Sequence, residues 1–194
     1  MLGLHLLDAS DRDPPGVSLA APEAWLDAGE RARFAELVEG APRRELLLGR
    51  WLVKHVLATI YGVREPRLCV DAHGKPRLAG EGPRFSLAHA GGGLALVVGV
   101  GEVGIDLEPV RPVSEALREA ALADDERARL GSDEEFFRIW TAKEAYMKRA
   151  GLGLAIAPRS LHVDLARGEL RDDADGARHA FSWVRWGRFV VSWL

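Results

Sequence analysis

The sequence predicts an α+β fold of two similar lobes, each a small antiparallel sheet packed with one long helix. Two observations carry this. Each half of the 194-residue chain holds one long helical stretch with a broad apolar face, Arg43 to Tyr61 and Glu134 to Ala150. Each half also offers strand-like runs before its helix or after it, and ends in a hairpin. The lobes are expected to join near Glu102, giving residues 1–102 and 103–194.

Taken in order, residues 2–7 alternate weakly and predict a first strand, and Asp11 to Gly16 predicts a turn. Ala24 to Leu37 has helical spacing interrupted by Gly29. Arg43 to Tyr61 follows, with Leu47, Trp51, Val53, His55, Val56 and Ile60 on its apolar face and Gly62 as its stop. Arg67 to Val70 predicts a short strand, Asp71 to Gly74 a turn, and Arg84 to His89 with Leu94 to Val100 a pair of strands around three glycines. In the second half, Val103 to Glu108 predicts a strand and Ser114 to Leu130 a helix. Glu134 to Ala150 is the second long helix, closed by Gly151-Leu152-Gly153. Ser160 to Leu165, Ala180 to Trp186 and Phe189 to Trp193 predict strands.

Composition narrows the function. Hydrophobic residues make up 47% and charged residues 28%, ordinary for a globular domain that buries a core. The net charge of −3 lacks the basic excess of a nucleic-acid binder. The charge is uneven, arginine-rich from Arg31 to Lys54 and acidic from Asp124 to Glu135, which points to a local anion site. The single cysteine, Cys69, excludes an internal disulfide and fits a cytoplasmic location. The start lacks the basic and apolar regions of a secretory signal, and no apolar run approaches a membrane span.

Four segments carry chemistry. In Gly104-Ile105-Asp106-Leu107-Glu108, strand alternation puts Asp106 and Glu108 on one face and Ile105 and Leu107 on the other. Two carboxylates side by side suit a hard divalent cation such as magnesium; the same spacing also describes a solvated strand face. In Trp140 to Lys148, helical spacing lines up Trp140, Glu144 and Lys148, giving a third carboxylate and an ammonium one turn later. That pair also fits an ordinary surface ion pair. Gly74-Lys75-Pro76 can bring backbone amides and an ammonium to an anion, or be a plain hairpin turn. His89 ends a strand beside Gly91-Gly92-Gly93, where a ligand can approach the backbone or the histidine is simply structural.

In this order and at these distances, the four segments resemble the 4′-phosphopantetheinyl transferase family, in its long, two-lobed monomeric subclass. The resemblance rests on GKP at 74–76, AHA at 88–90, GIDLE at 104–108 and WTAKEAYMK at 140–148 followed by GLG. It runs from about Arg31 to Gly153. The chain departs from the family pattern at Ala88, where serine is usual.

The resemblance implies two lobes related by a pseudo-twofold axis with the active site between them. It implies coenzyme A as co-substrate, with magnesium held by Asp106, Glu108 and Glu144. A serine of an apo acyl or peptidyl carrier protein would attack the phosphorus attached to pantetheine, releasing adenosine 3′,5′-bisphosphate. Lys148 would neutralise the pyrophosphate. Arg33, Arg44 and His89 are candidates for the 3′-phosphate, with Arg31 and Arg43 as competitors, and Lys75 and Pro76 would lie near the nucleotide. Glu144 and Glu126 are candidates for the base that takes the seryl proton; Glu126 also fits a solvated helix start. Neither nucleic acid nor membrane is expected as a partner, and the chain is expected to be a monomer.

Overall fold

One succession of strand, helix and hairpin occurs twice along this chain. The structure, a computed structural model, describes residues 2–10, 13–15, 17, 18 and 20–194. Of the expected turn at Asp11 to Gly16, Asp11, Arg12 and Gly16 lie outside the described residues. The first succession is β1 (Gly3–Asp8), α1 (Ala28–Glu36), α2 (Ala41–Thr59), a small pair β2 (Leu68–Val70) and β3 (Pro76–Leu78), then the hairpin β4 (Arg84–Ala90) and β5 (Gly93–Gly99). The second is β6 (Ile105–Pro109), α3 (Glu115–Ala121), α4 (Asp124–Arg129), α5 (Asp133–Ala150), a small sheet of β7 (Leu161–Asp164), β8 (Glu169–Asp172) and β9 (Arg178–Ala180), then the hairpin β10 (Ser182–Trp186) and β11 (Phe189–Trp193). The main sheets have equivalent orders, β1-β5-β4 and β6-β11-β10, all antiparallel. No helix is long and apolar enough to cross a membrane among the described residues.

Each long helix covers its own sheet. On α2, Leu48, Leu52, Val53, Val56 and Leu57 pack with Phe85, Leu94, Leu96 and Val98. On α5, Phe136, Phe137, Ile139, Ala142 and Met147 pack with Leu161, Val163, Leu170, Phe181 and Val190. A third cluster joins the sheets: Ala88, Ala95 and Val97 meet Ile105, Leu107, Phe189 and Val191. Each buried Val, Leu, Ile, Phe or Met among these contributes about 1.5–3 kcal/mol by leaving water. Because Ile105 and Leu107 fill this seam, alternation turns Asp106 and Glu108 to the opposite face, toward α5.

The glycine just before the acidic strand is required by packing. A Cβ on Gly104 would lie 1.8 Å from the Ala145 carbonyl oxygen and 2.6 Å from the Arg149 nitrogen, so only glycine lets β6 start against α5.

The boundaries that differ from expectation have local causes. Helix α1 starts at Ala28 because Asp27 and Glu30 form a reciprocal capping box, with bonds of 2.9 and 3.0 Å. Ser114 to Leu130 is two helices. Leu122 and Ala123 are extended, and Glu126 turns back to accept the Ala123 N–H at 2.9 Å. Ala180 to Trp186 is split at Phe181, whose N–H is bound by the Gly168 carbonyl, so the chain passes there from the small sheet to the main one. Strands β3 and β8 and residues 178–179 of β9 were not expected from the alternation.

Candidate active site

The acidic strand β6 and the second long helix α5 meet. Lys148 Nζ lies 2.6 Å from Asp106 Oδ1. The other oxygen, Asp106 Oδ2, is buried and has no hydrogen-bond partner. Burial pushes the Asp106 carboxyl up, against the pull of Lys148 and, more weakly, His89. Burial and the neighbouring Asp106 push up Glu108. Burial, then Asp106, push up Glu144, with Glu108 adding to the effect and Lys148 opposing it. Asp106, Glu108, Glu144 and Lys148 therefore feel one another: three carboxylates short of positive charge around one ammonium.

The donor chemistry, three carboxyls with one oxygen orphaned, is of the kind a divalent cation takes. An orphaned buried carboxylate oxygen is costly, and a second positive charge would satisfy it and bring all three carboxyls down. Among the described residues no three His, Cys, Asp or Glu side chains stand close enough together to ligate one ion as placed. Lys148 supplies the positive charge on Asp106 in this arrangement. Below the carboxylates, a polar contact fixes helix to sheet: Thr141 Oγ1 and Ser192 Oγ are 2.7 Å apart and buried, and Ser192 pairs with Asp106 across β11 and β6.

Beside Lys148 a pocket of about 220 Å³ opens between the two halves of the chain. The first half lines it with His73, Gly74, Lys75, Pro76, Phe85, Ser86 and Leu87, and the second with Lys148, Gly151 and Gly153. The Gly-Lys-Pro turn and the glycines that end α5 thus face each other. Gly151 is left-handed, at φ 73°, and caps α5 in the manner that favours glycine. Ser86 was missed by the motif reading. It lines the pocket while its hydroxyl accepts the Ile105 N–H at 3.3 Å. Ala88, on the same strand face two residues on, lies in the seam between the sheets.

The other candidate residues are placed as follows. His89 is exposed, with Nδ1 3.3 Å from Glu45, and close enough for its charge to bear on Asp106. Arg44 Nε donates to Asp13 Oδ1 at 2.8 Å, and its Nη2 donates to the Ala9 carbonyl. Arg33 is exposed in the last turn of α1, and its charge bears on Arg50. Much of the arginine-rich stretch braces the fold. Arg50 and Lys54 flank Glu30 at 2.8 and 2.6 Å, Arg43 donates to the Leu37 carbonyl, and Arg31 to the Leu26 carbonyl. Lys75 belongs to the turn that lines the pocket, yet its ammonium is bound to Glu102 and to the carbonyls of Val103 and Arg149, and burial lowers its pKa.

Glu126 has both carboxylate oxygens engaged within the fold. It is neither solvated nor beside the carboxylate group: its side chain is 1% exposed and paired with Lys143, which is 0% exposed, at 2.5 Å. One oxygen accepts from Lys143 and the Ala123 N–H, the other from the Val163 N–H at 2.8 Å. Glu126, in the first turn of α4, is a buried brace between α4, α5 and β7.

Asp106, Glu108 and Glu144 thus share an electrostatic group with Lys148, beside a pocket lined by both halves of the chain. The family model described as the 4′-phosphopantetheinyl transferase superfamily matches residues 102–191. The 4′-phosphopantetheinyl transferase HetI of Nostoc sp. is 35% identical over 158 residues, 74% of this chain and 67% of that protein. The 4′-phosphopantetheinyl transferase AcpT of Escherichia coli (strain K12) is 34% identical over 149 residues, 71% of this chain and 65% of that one. The 4′-phosphopantetheinyl transferase psf-1 of Bacillus pumilus is 31% identical over 149 residues, 72% of this chain and 61% of that one. The chain belongs to the 4′-phosphopantetheinyl transferase superfamily.

Proposed function

We propose that the chain transfers the 4′-phosphopantetheine moiety of coenzyme A to a serine of an apo acyl or peptidyl carrier protein. The products are holo carrier protein and adenosine 3′,5′-bisphosphate. One observation carries the reading: Lys148 bound to Asp106, with Glu108 and Glu144 in the same electrostatic group, at the wall of the pocket between the lobes. In this reading residues 1–102 and 103–194 act as two lobes, and the pocket between them takes coenzyme A.

Asp106, Glu108 and Glu144 would hold magnesium, which supplies charge neutralisation on the pyrophosphate when bound. The chain's own groups do the rest. The seryl Oγ attacks the phosphorus that carries pantetheine; the bond from that phosphorus to the bridging oxygen breaks, and the electrons leave with adenosine 3′,5′-bisphosphate. Lys148 neutralises charge growing on the leaving phosphate, so its contact is stronger in the transition state than in the ground state. Glu144 takes the seryl proton, since Glu126 has both oxygens engaged in the fold. His89, Arg44 and Arg33 meet the 3′-phosphate, and Gly74, Lys75 and Pro76 present the turn backbone to the nucleotide. The protein works as a monomer in the cytoplasm.

Intact-mass measurement of several apo carrier proteins after incubation with the enzyme, coenzyme A and magnesium tests the reading. A gain of one phosphopantetheine on a carrier supports it and names the partner. Release of phosphopantetheine to water with every carrier unmodified would make the protein a hydrolase and end the proposal.

A further inference from the structure

The two walls of the pocket are fastened together from behind. Lys75 is 9% exposed at its side chain, and its ammonium is fully engaged. It donates to Glu102 Oε2 at 3.3 Å, to the Val103 carbonyl at 3.0 Å and to the Arg149 carbonyl at 3.4 Å. Glu102 gathers further charge from the first half of the chain: Arg77 Nη1 at 2.7 Å from Oε1, and Arg84 Nε at 3.6 Å. From the other side Arg149 Nε donates to the Glu102 carbonyl at 3.3 Å. Arg77 is itself tied to the turn through Asp71 at 3.0 Å, and Asp71 accepts the Lys75 and His73 N–H groups. These contacts bind together the turn at 71–77, the link at 102–104 and the end of α5. The first and the last of these supply pocket wall.

An exposed ion pair does little by itself, and Glu102 is 43% exposed. The buried end of the cluster is different. A buried ammonium is tolerated only with its partners in place, and here two of the three are main-chain carbonyls on separate elements. Their positions relative to the turn are set by where one nitrogen sits. The same engagement keeps the Lys75 ammonium from reaching a ligand while the cluster is intact.

We propose that Lys75 and Glu102 are positioning residues: together they form a latch that holds the Gly-Lys-Pro turn against the end of α5 and so sets the shape of the pocket. The choice of coenzyme A as probe rests on the function proposed above; the latch itself rests on the contacts. Lys75→Met and Glu102→Gln each loosen one wall against the other. Each is expected to weaken coenzyme A binding about 3–10-fold, and the double variant to be little worse than either single one, as for residues acting in one unit. The Michaelis constant for coenzyme A should rise with turnover at saturation unchanged, whereas a loss of folded protein lowers turnover at every concentration.

The experiment is calorimetry of coenzyme A binding to the full chain for wild type, both single variants and the double variant, with amide hydrogen exchange on the same four proteins. Exchange should rise at residues 71–77 and 149–153 in every variant and stay unchanged in the core strand β5. Glu102→Gln is partly exposed and keeps the shape of the side chain, so it folds even where Lys75→Met does not. If Glu102→Gln binds coenzyme A as wild type does while Lys75→Met loses it, Lys75 touches the ligand directly and the latch is wrong. Unchanged exchange in Glu102→Gln also overturns it. If the wild-type chain fails to bind coenzyme A, the functional reading falls, and the exchange result still decides the latch.

Discussion

Lys148 Nζ and Asp106 Oδ1 are 2.6 Å apart, although 42 residues separate them in the chain. The contact joins the acidic strand to the helix that faces it, and it leaves Asp106 Oδ2 buried and without a partner. Lys148 is 31% exposed, so the ammonium is open to the pocket on one side. If it were only a half-exposed ion pair, Lys148→Ala would cost less than about 1 kcal/mol and leave turnover alone. As a group that meets the leaving phosphate, its loss is expected to slow transfer by on the order of 10²-fold or more. Lys148→Arg should restore only part of the rate, because the planar fork does not replace a point charge. Single-turnover transfer at saturating coenzyme A and magnesium, with thermal melting alongside, decides between the two.

Asp106 gives a sharper test of the cation. Asp106→Asn preserves the shape and removes the charge from the most buried of the three carboxyls. Transfer should be abolished while the melting temperature holds or rises, since burial costs the Asp106 carboxylate more than its pairing with Lys148 returns. Manganese binding, measured by calorimetry without coenzyme A, should weaken in parallel. Near-normal activity of this variant at low magnesium would remove Asp106 from the cation site.

The parts of the site that were legible in the sequence are those set by backbone periodicity. Alternation in a strand fixes that Asp106 and Glu108 share a face, and helical spacing fixes that Lys148 follows Glu144 by one turn; no tertiary information is needed for either. The two long helices and their hairpins were legible for the same reason. What periodicity does not supply is the direction of a long side chain. Lys75 lies in the expected turn, but its four-carbon stem carries the ammonium away from the pocket to Glu102. Glu126 had the sequence look of a solvated helix start, and its burial depends on Lys143, seventeen residues on, reaching it across two helices. The break at Leu122 and Ala123 follows from that same pairing, so a tertiary contact overrode a helical pattern. Strands β8 and β9 are short and mixed in polarity, with no alternation to read.

The raised carboxyls predict how the metal-free protein responds to pH. A carboxyl held above its ordinary value binds a proton more tightly folded than unfolded. It therefore destabilises the fold at high pH, and that cost disappears as pH falls toward the unfolded value. Glu108 has its pKa raised, by burial first and by Asp106 next, from the ordinary value of 4.5. In chelator, Glu108→Gln should melt higher than wild type near neutral pH, and the difference should shrink as pH is lowered toward 4.5. Other titrating groups largely cancel in that difference. A gain that is absent at neutral pH, or equal at both ends, contradicts the electrostatic grouping of Asp106, Glu108 and Glu144.

The buried pair of Glu126 and Lys143 predicts a stability effect without a catalytic one. Removing one partner leaves the other charged and dry, so Lys143→Met should cost about 3–5 kcal/mol. Glu126→Gln should also melt lower, since it loses the charge that holds Lys143 and two backbone N–H groups. Transfer per folded molecule should stay near wild type for Glu126→Gln. A normal melting temperature with turnover lost would return Glu126 to the role of base.

The last prediction concerns the far end of the ligand. His89 is exposed beside the carboxylates, Arg44 is held by Asp13 and the Ala9 carbonyl, and Arg33 is exposed on α1. If these groups meet the 3′-phosphate, their loss should matter for coenzyme A and not for dephospho-coenzyme A. A charge-assisted contact of this kind is worth about 1.5–3 kcal/mol, or roughly 10- to 100-fold in affinity. The three are not expected to contribute equally. His89 is nearest the acidic cluster, and its Nδ1 shares Glu45. Arg44 must leave Asp13 before it can bind an anion, so part of its gain is offset. Arg33 lies close enough to Arg50 for the two charges to bear on each other. The expected order of loss for coenzyme A is therefore His89→Ala, then Arg44→Ala, then Arg33→Ala, with dephospho-coenzyme A affinity unchanged in each. Calorimetry with both ligands on the three variants reads this directly. Equal losses for the two ligands would remove that residue from 3′-phosphate recognition and leave it a role in the fold.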